Sequence, residues 1–172
     1  MYKRQIISNK FNQYFINSIE SIVTNLNTHC KEDDVSNIEF KGSFTNFKIV
    51  EMDDLKKYAK LLNKGSWEDG ISTDVVQDAI RIVGNRILDF LNASLTSGTV
   101  PSNWKISIVV PVQKVPNTSN CSEFRPINTV PIYEKLLELV VKDQLLKYCD
   151  KHEIIVSNQS GFRNGHSCES VV

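Results

Sequence analysis

The chain has 172 residues, of which 41% are hydrophobic and 23% are charged, with 20 basic and 20 acidic side chains. This composition excludes a disordered tail, and charged residues interrupt every apolar run before it is long enough to cross a bilayer. The balanced charge also lacks the basic excess of proteins that bind nucleic acid mainly through phosphates, so such a role would need a local patch. No continuous apolar segment of a signal peptide is present, so we expect an intracellular protein, nuclear or cytoplasmic and not secreted.

The first hundred residues contain three segments in which apolar side chains recur every three or four positions. These segments predict helices over residues 8–29, over residues 52–63, and from the capping residues 72–74 to Gly98. Asp53 and Asp54 fit the positive end of the second helix, so the sequence EMDD is a helix start and not a metal-binding motif. Residues 31–47 form a polar break.

The chemistry changes after Pro101. Residues 105–114, KISIVVPVQK, are rich in β-branched side chains and predict a strand, which Pro111 places at a sheet edge. A polar loop follows, and residues 123–129 predict a returning strand. The result is a β-hairpin with a wide tip, in which Lys114 and Arg125 lie close together.

A fourth helix is predicted from Pro131 to about Cys149. Its inward face includes Leu145, and two i,i+4 ion pairs support its outer face. These pairs are Glu138 with Lys142 and Asp143 with Lys147. The last residues, 157–172, predict a loop that leads into a helix. The predicted fold class is therefore α+β, mostly helical, with one hairpin.

Three segments then follow one another in a distinctive order: PSNWKISIVVPVQK, FRPINTVPIYEKLLELVVKDQLLKY and SNQSGFRNGHSCESVV. This order and spacing resembles the reverse transcriptases of non-LTR (LINE-type) retrotransposons, whose pattern is P-x-x-W-K, P-x-x-K, Y-R-P-I, K-x-x-E and Q-x-G-F-R. The matching positions are Pro101, Trp104, Lys105, Pro111, Lys114, Arg125, Pro126, Ile127, Lys135, Glu138, Gln159, Gly161, Phe162 and Arg163. Phe124, Ser160 and Cys168 depart from the pattern. The segment KGSWEDGIS matches a further motif loosely, with Trp67 and Glu68 as departures.

The resemblance implies that residues 51–172 are the N-terminal, fingers part of a right-hand polymerase domain, truncated before the palm. Residues 1–50 would be the helical segment that precedes this domain. The family copies RNA into DNA during retrotransposition, so the implied partners are an RNA template, a DNA primer, dNTPs and the palm itself, with no membrane. Mg²⁺ is held by palm aspartates whose motifs are not in this chain. We therefore expect the chain to bind no Mg²⁺, and we leave its status as an enzyme open.

The resemblance also assigns binding residues. Lys114 and Arg125 would bind dNTP phosphates. The lysine ammonium is a compact charge on a flexible side chain, and the arginine guanidinium is a planar group that can donate two hydrogen bonds at once, and a triphosphate can accept both. Arg163 would contact the template or the nucleotide, together with Gln159, Gly161, Phe162 and Lys105. The alternative for such cations is a solvated side chain, or an arginine paired with Glu123 or Glu134. We predict no catalytic residue, because the palm aspartates that the resemblance implies are not in this chain. We also predict no metal site, because the four cysteines form no C-x-x-C pair that could bind zinc.

Two other hypotheses stay open at this point. The chain could be a non-catalytic module that binds nucleic acid or nucleotides through Lys105, Lys114, Arg125 and Arg163. It could also be a degenerate remnant of a mobile element without a present function.

Overall fold

The computed structural model describes residues 2–26, 42–62, 70–156, 159–163 and 165–166. It is mostly helical, with one small antiparallel sheet, as predicted. The elements are α1 (Tyr2–Leu26), α2 (Met52–Leu61), α3 (Thr73–Ser97), β1 (Ile108–Gln113), β2 (Phe124–Thr129) and α4 (Ile132–Lys151). Short 3₁₀ turns precede each strand, at Ser102–Lys105 and Cys121–Glu123. None of the described helices combines the length and apolarity needed to span a membrane.

The chain divides into two compact units. We call Met1–Ile38 with Ile106–Val130 the hairpin unit, and Glu39–Lys105 with Pro131–Val172 the helical unit. The domain boundary predicted between residues 1–50 and 51–172 stays a prediction. The helix expected near the C-terminus also stays a prediction, because most of that segment lies outside the described residues. The predicted ends of α1, at residue 29, and of α2, at residue 63, also lie outside the described residues.

The core belongs to the helical unit, where α2, α3 and α4 bury one apolar face each. Its fully buried side chains are Leu55, Val76, Leu91, Ile132, Leu136 and Val140. The predicted helix ends are confirmed at both ends of α3, because the Ser72 side chain accepts a hydrogen bond from the Val75 N–H and Gly98 adopts a left-handed φ of 65°. Pro131 is the N-cap residue of α4, also as predicted.

Helix α3 is kinked, which its amphipathic pattern did not predict. Val83 has non-helical φ and ψ angles of −123° and 21°, and its side chain is 46% exposed. The next residue, Gly84, is buried against Met52 of α2, where an added Cβ would come within 3.1 Å of the methionine Cε. The kink therefore lets the main chain of α3 approach α2 closely at a position without a side chain.

Two predictions for α4 are wrong. Leu145 is 38% exposed rather than inward, because the apolar face of the helix ends near Val140 and its continuation is occupied by polar Gln144. Glu138 pairs with Lys135 at 2.7 Å, one turn earlier, and not with Lys142. The predicted pair of Asp143 with Lys147 is confirmed at 2.7 Å.

Candidate nucleic-acid interface

The hairpin forms with a defined register. Strands β1 and β2 pair antiparallel, with Val112 opposite Arg125 and Pro111 opposite Pro126. The main-chain N–H of Lys114 donates to the Glu123 carbonyl at 2.7 Å, which extends the ladder by one pair beyond the strands. Since hydrogen-bonded and non-hydrogen-bonded pairs alternate, the two prolines fall on a non-hydrogen-bonded pair. Their missing N–H groups would point outward, so the ladder loses no bond.

The register places Lys114 and Arg125 on one face of the hairpin. Arg125 lies opposite Val112, and Lys114 follows Val112 by two residues, so the two cations share a face as diagonal neighbours. Diagonal Cα atoms in an antiparallel pair are about 7–8 Å apart. The structure thus brings together the two residues that the sequence predicts as a pair.

Glu123, an acidic residue at the hairpin tip, accepts a hydrogen bond from within the tip. The Thr118 hydroxyl donates to the Glu123 carboxylate, and the Lys114 Nζ donates to the Ser122 carbonyl at 3.2 Å. Within the described part of the chain, neither Lys114 nor Arg125 takes part in an ion pair. The alternative that Glu123 neutralises Arg125 is therefore not what the structure contains.

The other predicted contacts lie in the helical unit. Lys105 is exposed at the end of the 3₁₀ turn Ser102–Lys105. Its neighbour Trp104 anchors that turn, because the indole lies edge-on to Phe90 at 5.1 Å and stacks on Tyr133 at 6.4 Å. The tryptophan of the P-x-x-W-K motif therefore has a packing role here, whereas the lysine side chain is exposed to solvent.

Arg163 is engaged by its own turn. Its guanidinium donates to the carbonyls of Val156 at 3.5 Å and Gln159 at 3.4 Å, and the Gln159 side chain donates to the Gly161 carbonyl. Phe162 has a positive φ of 61° and is fully exposed. In this conformation the arginine stabilises the turn, and Phe162 is the side chain that faces solvent. Contact of these residues with a template stays a prediction.

A second polar cluster, in the helical unit, was only partly predicted. The hydroxyl of buried Tyr58 donates to Asp143 Oδ2 at 2.6 Å, and Lys147 Nζ donates to the same oxygen at 2.7 Å. Burial, followed by the hydrogen bond to the carboxylate, raises the pKa of Tyr58 above its ordinary range. The hydrogen bonds from Lys147 and Tyr58 lower the pKa of Asp143, and the carboxylate raises the pKa of Lys147.

Two side-chain amides hold the segment that leads into α2. Asn92 of α3 accepts from the Val50 N–H at 2.8 Å and donates to the Val50 carbonyl at 3.0 Å. Gln144 of α4 bonds the N–H and carbonyl of Lys48 in the same way, at 2.7 and 2.9 Å. The Asn92 contact was indicated in the sequence by a polar residue within an apolar helix face, because Asn92 stands at helical spacing from Leu88 and Leu95.

No group of three or more histidine, cysteine, aspartate or glutamate side chains suited to a metal ion occurs among the residues that the structure describes. Comparisons with protein-family models, with curated proteins and with solved structures give no match for this chain. Membership of the family that the sequence motifs resemble is therefore a proposal.

Proposed function

We propose that this chain is the fingers part of a reverse transcriptase of the non-LTR type, and that its own contribution is to bind nucleotide and nucleic-acid phosphates. The observation that carries the proposal is the diagonal pair of Lys114 and Arg125 on one hairpin face. Two neighbouring cations without an ion-pair partner among the described residues attract phosphate oxygens by their charge and orient them by directional hydrogen bonds. In the complete enzyme, template, primer, dNTPs and palm-bound Mg²⁺ would complete the site.

Binding rather than turnover is the function proposed for these 172 residues. None of them matches the family motifs that hold the metal ions, so no step of nucleotidyl transfer is assigned to a residue of this chain. Lys105 is proposed as an additional, exposed cation for the template, and Arg163 is proposed to bind only if its turn rearranges.

Salt-dependent binding of labelled single-stranded RNA, measured by fluorescence anisotropy on the full chain, tests this proposal. The double variant K114A/R125A should bind more weakly, and its plot of log affinity against log salt should be shallower by roughly 0.7 for each phosphate that the variant no longer binds. The matched control is R4A/K10A, which removes the same charges from exposed positions of α1 in the same unit. If K114A/R125A binds no more weakly than this control, the hairpin cations are not the binding site.

A further inference from the structure

The helical unit contains a cleft of about 400 Å³ between the segment at residues 43–50, α2 and the C-terminal half of α4. We call it the aromatic cleft, because four rings line it. They belong to Phe44, Tyr58, Tyr148 and His152. Its volume is within the range of sites for small ligands. All of the described residues that line it belong to the helical unit.

The rings in the aromatic cleft hold one another in place. Phe44 meets Tyr148 edge-on at 5.3 Å, and the Tyr148 and His152 rings lie 4.5 Å apart. The main chain of Gly42 covers His152 so closely that an added Cβ would lie 2.9 Å from the ring. The planes of these three half-buried rings are inclined to one another, by 74° between Phe44 and Tyr148 and by 41° between Tyr148 and His152, so a base would stack on the face of a single ring. A nucleobase of any sequence can stack on an aromatic side chain in this way.

Charge in the cleft is not fully balanced. The Asp143 carboxylate is already engaged by Lys147 and Tyr58, and Asp54 adds a second negative group near Lys147. Lys48 and Lys151 also line the cleft, and within the described residues neither is in an ion pair. Two lysines beside a set of rings therefore remain available to an anion.

We propose that the aromatic cleft binds one nucleotide unit, with the base against the rings and the phosphate on Lys48 and Lys151. The residues named for this site belong to the helical unit, and the proposal does not depend on the function proposed for the hairpin. The nucleotide can be free or part of a single strand, since both present the same base and phosphate.

Side-chain NMR of the full chain, titrated with AMP, with a short oligoadenylate and with inorganic phosphate, tests the proposal. AMP and oligoadenylate should shift the resonances of Tyr148 and His152, and phosphate alone should bind much more weakly than AMP. Y148L should weaken AMP binding by about 5- to 150-fold, the range expected for the loss of one stacked base. Tighter binding of oligoadenylate than of AMP identifies a strand as the ligand, and equal binding identifies a free nucleotide.

Because Y148L removes packing, the exposed pair K48A/K151A provides a second test that leaves the core intact. It should weaken AMP binding, whereas the matched control K60A/K142A, which removes two exposed lysines outside the cleft, should not. K114A/R125A should leave AMP binding at the cleft unchanged, so failure here is distinguishable from failure of the hairpin proposal. Absent shifts at Tyr148 and His152, equal binding of phosphate and AMP, or equal affinity of K48A/K151A and its control would overturn the proposal.

Discussion

The helical unit and the hairpin unit differ in what they do with their apolar side chains. Among the described residues, twelve buried hydrophobic side chains form one cluster, and all of them belong to the helical unit. In the hairpin unit, Ile19 and Leu26 of α1 are each 63% exposed, and Val109, Val110 and Val112 of β1 are exposed on both faces of the hairpin. Phe11 of α1 does meet Phe124 of β2, with ring centroids 4.7 Å apart.

This difference shows that secondary structure and a core have different requirements. A helix and a hairpin can follow from local patterns, such as the Gln13–Asn17 side-chain bond on α1, but burial needs a facing surface. A two-stranded hairpin alone is marginally stable, and a large exposed apolar surface is typical of an interaction site. We therefore expect the helical unit to carry the stability of the chain and the hairpin unit to depend on a partner.

The largest expected effect separates the two units directly. Leu136 is fully buried, so Leu136→Ala should lower the free energy of unfolding by about 2–5 kcal/mol. The control Ile19→Ala, on exposed α1, should change it by less than about 0.5 kcal/mol. Urea unfolding followed by circular dichroism measures both. Equal losses would show that α1 has a packed core of its own.

A second effect concerns the buried hydroxyl of the helical unit. Tyr58→Phe removes a hydrogen bond to a carboxylate and should cost about 1.5–3 kcal/mol at neutral pH, whereas Tyr14→Phe on α1 should cost almost nothing. Because folding raises the pKa of Tyr58, its contribution is full below about pH 10, where a free tyrosine titrates, and is lost as the pH rises further.

Unfolding free energies measured from neutral to strongly alkaline pH check this sign. The difference between wild type and Tyr58→Phe should shrink above about pH 10. The lowered pKa of Asp143 acts in the opposite direction, since its contribution is present above about pH 3.9 and is lost as the pH falls through the lowered value. A difference that grows with alkaline pH would contradict the assigned geometry.

The smallest effect concerns how residues 42–51 are held. Asn92→Ala leaves the buried N–H and carbonyl of Val50 without their amide partner and should cost about 1–3 kcal/mol. Asn85→Ala, at an exposed position of the same helix, is the matched control and should be close to neutral. If both variants unfold at the same urea concentration, the amide contact contributes nothing measurable.

Local features of the fold were predictable from the sequence. Ser72 and Gly98 bound α3 because capping chemistry depends on neighbouring residues. Side chains alternate between the two faces along each strand, so the register of the hairpin is enough to place Lys114 and Arg125 on the same face.

Features that depend on distant residues were not predictable. The kink at Val83 lies beside the close approach of Gly84 to Met52, about thirty positions away, and the amide contacts join residues 42 and 96 positions apart. The hydrogen bonds of Arg163 to main-chain carbonyls of its own turn were likewise not predicted, and its contact with a template or nucleotide stays a prediction.

Hydrogen exchange of the full chain, with and without single-stranded RNA, tests the division of roles between the two units most directly. Without RNA, core amides of α2, α3 and α4 should exchange only through global unfolding, while amides of α1 and the hairpin exchange much faster. With RNA, the hairpin tip from Lys114 to Arg125 should gain protection. Uniform protection across both units, or a hairpin tip that RNA leaves unchanged, would contradict this division.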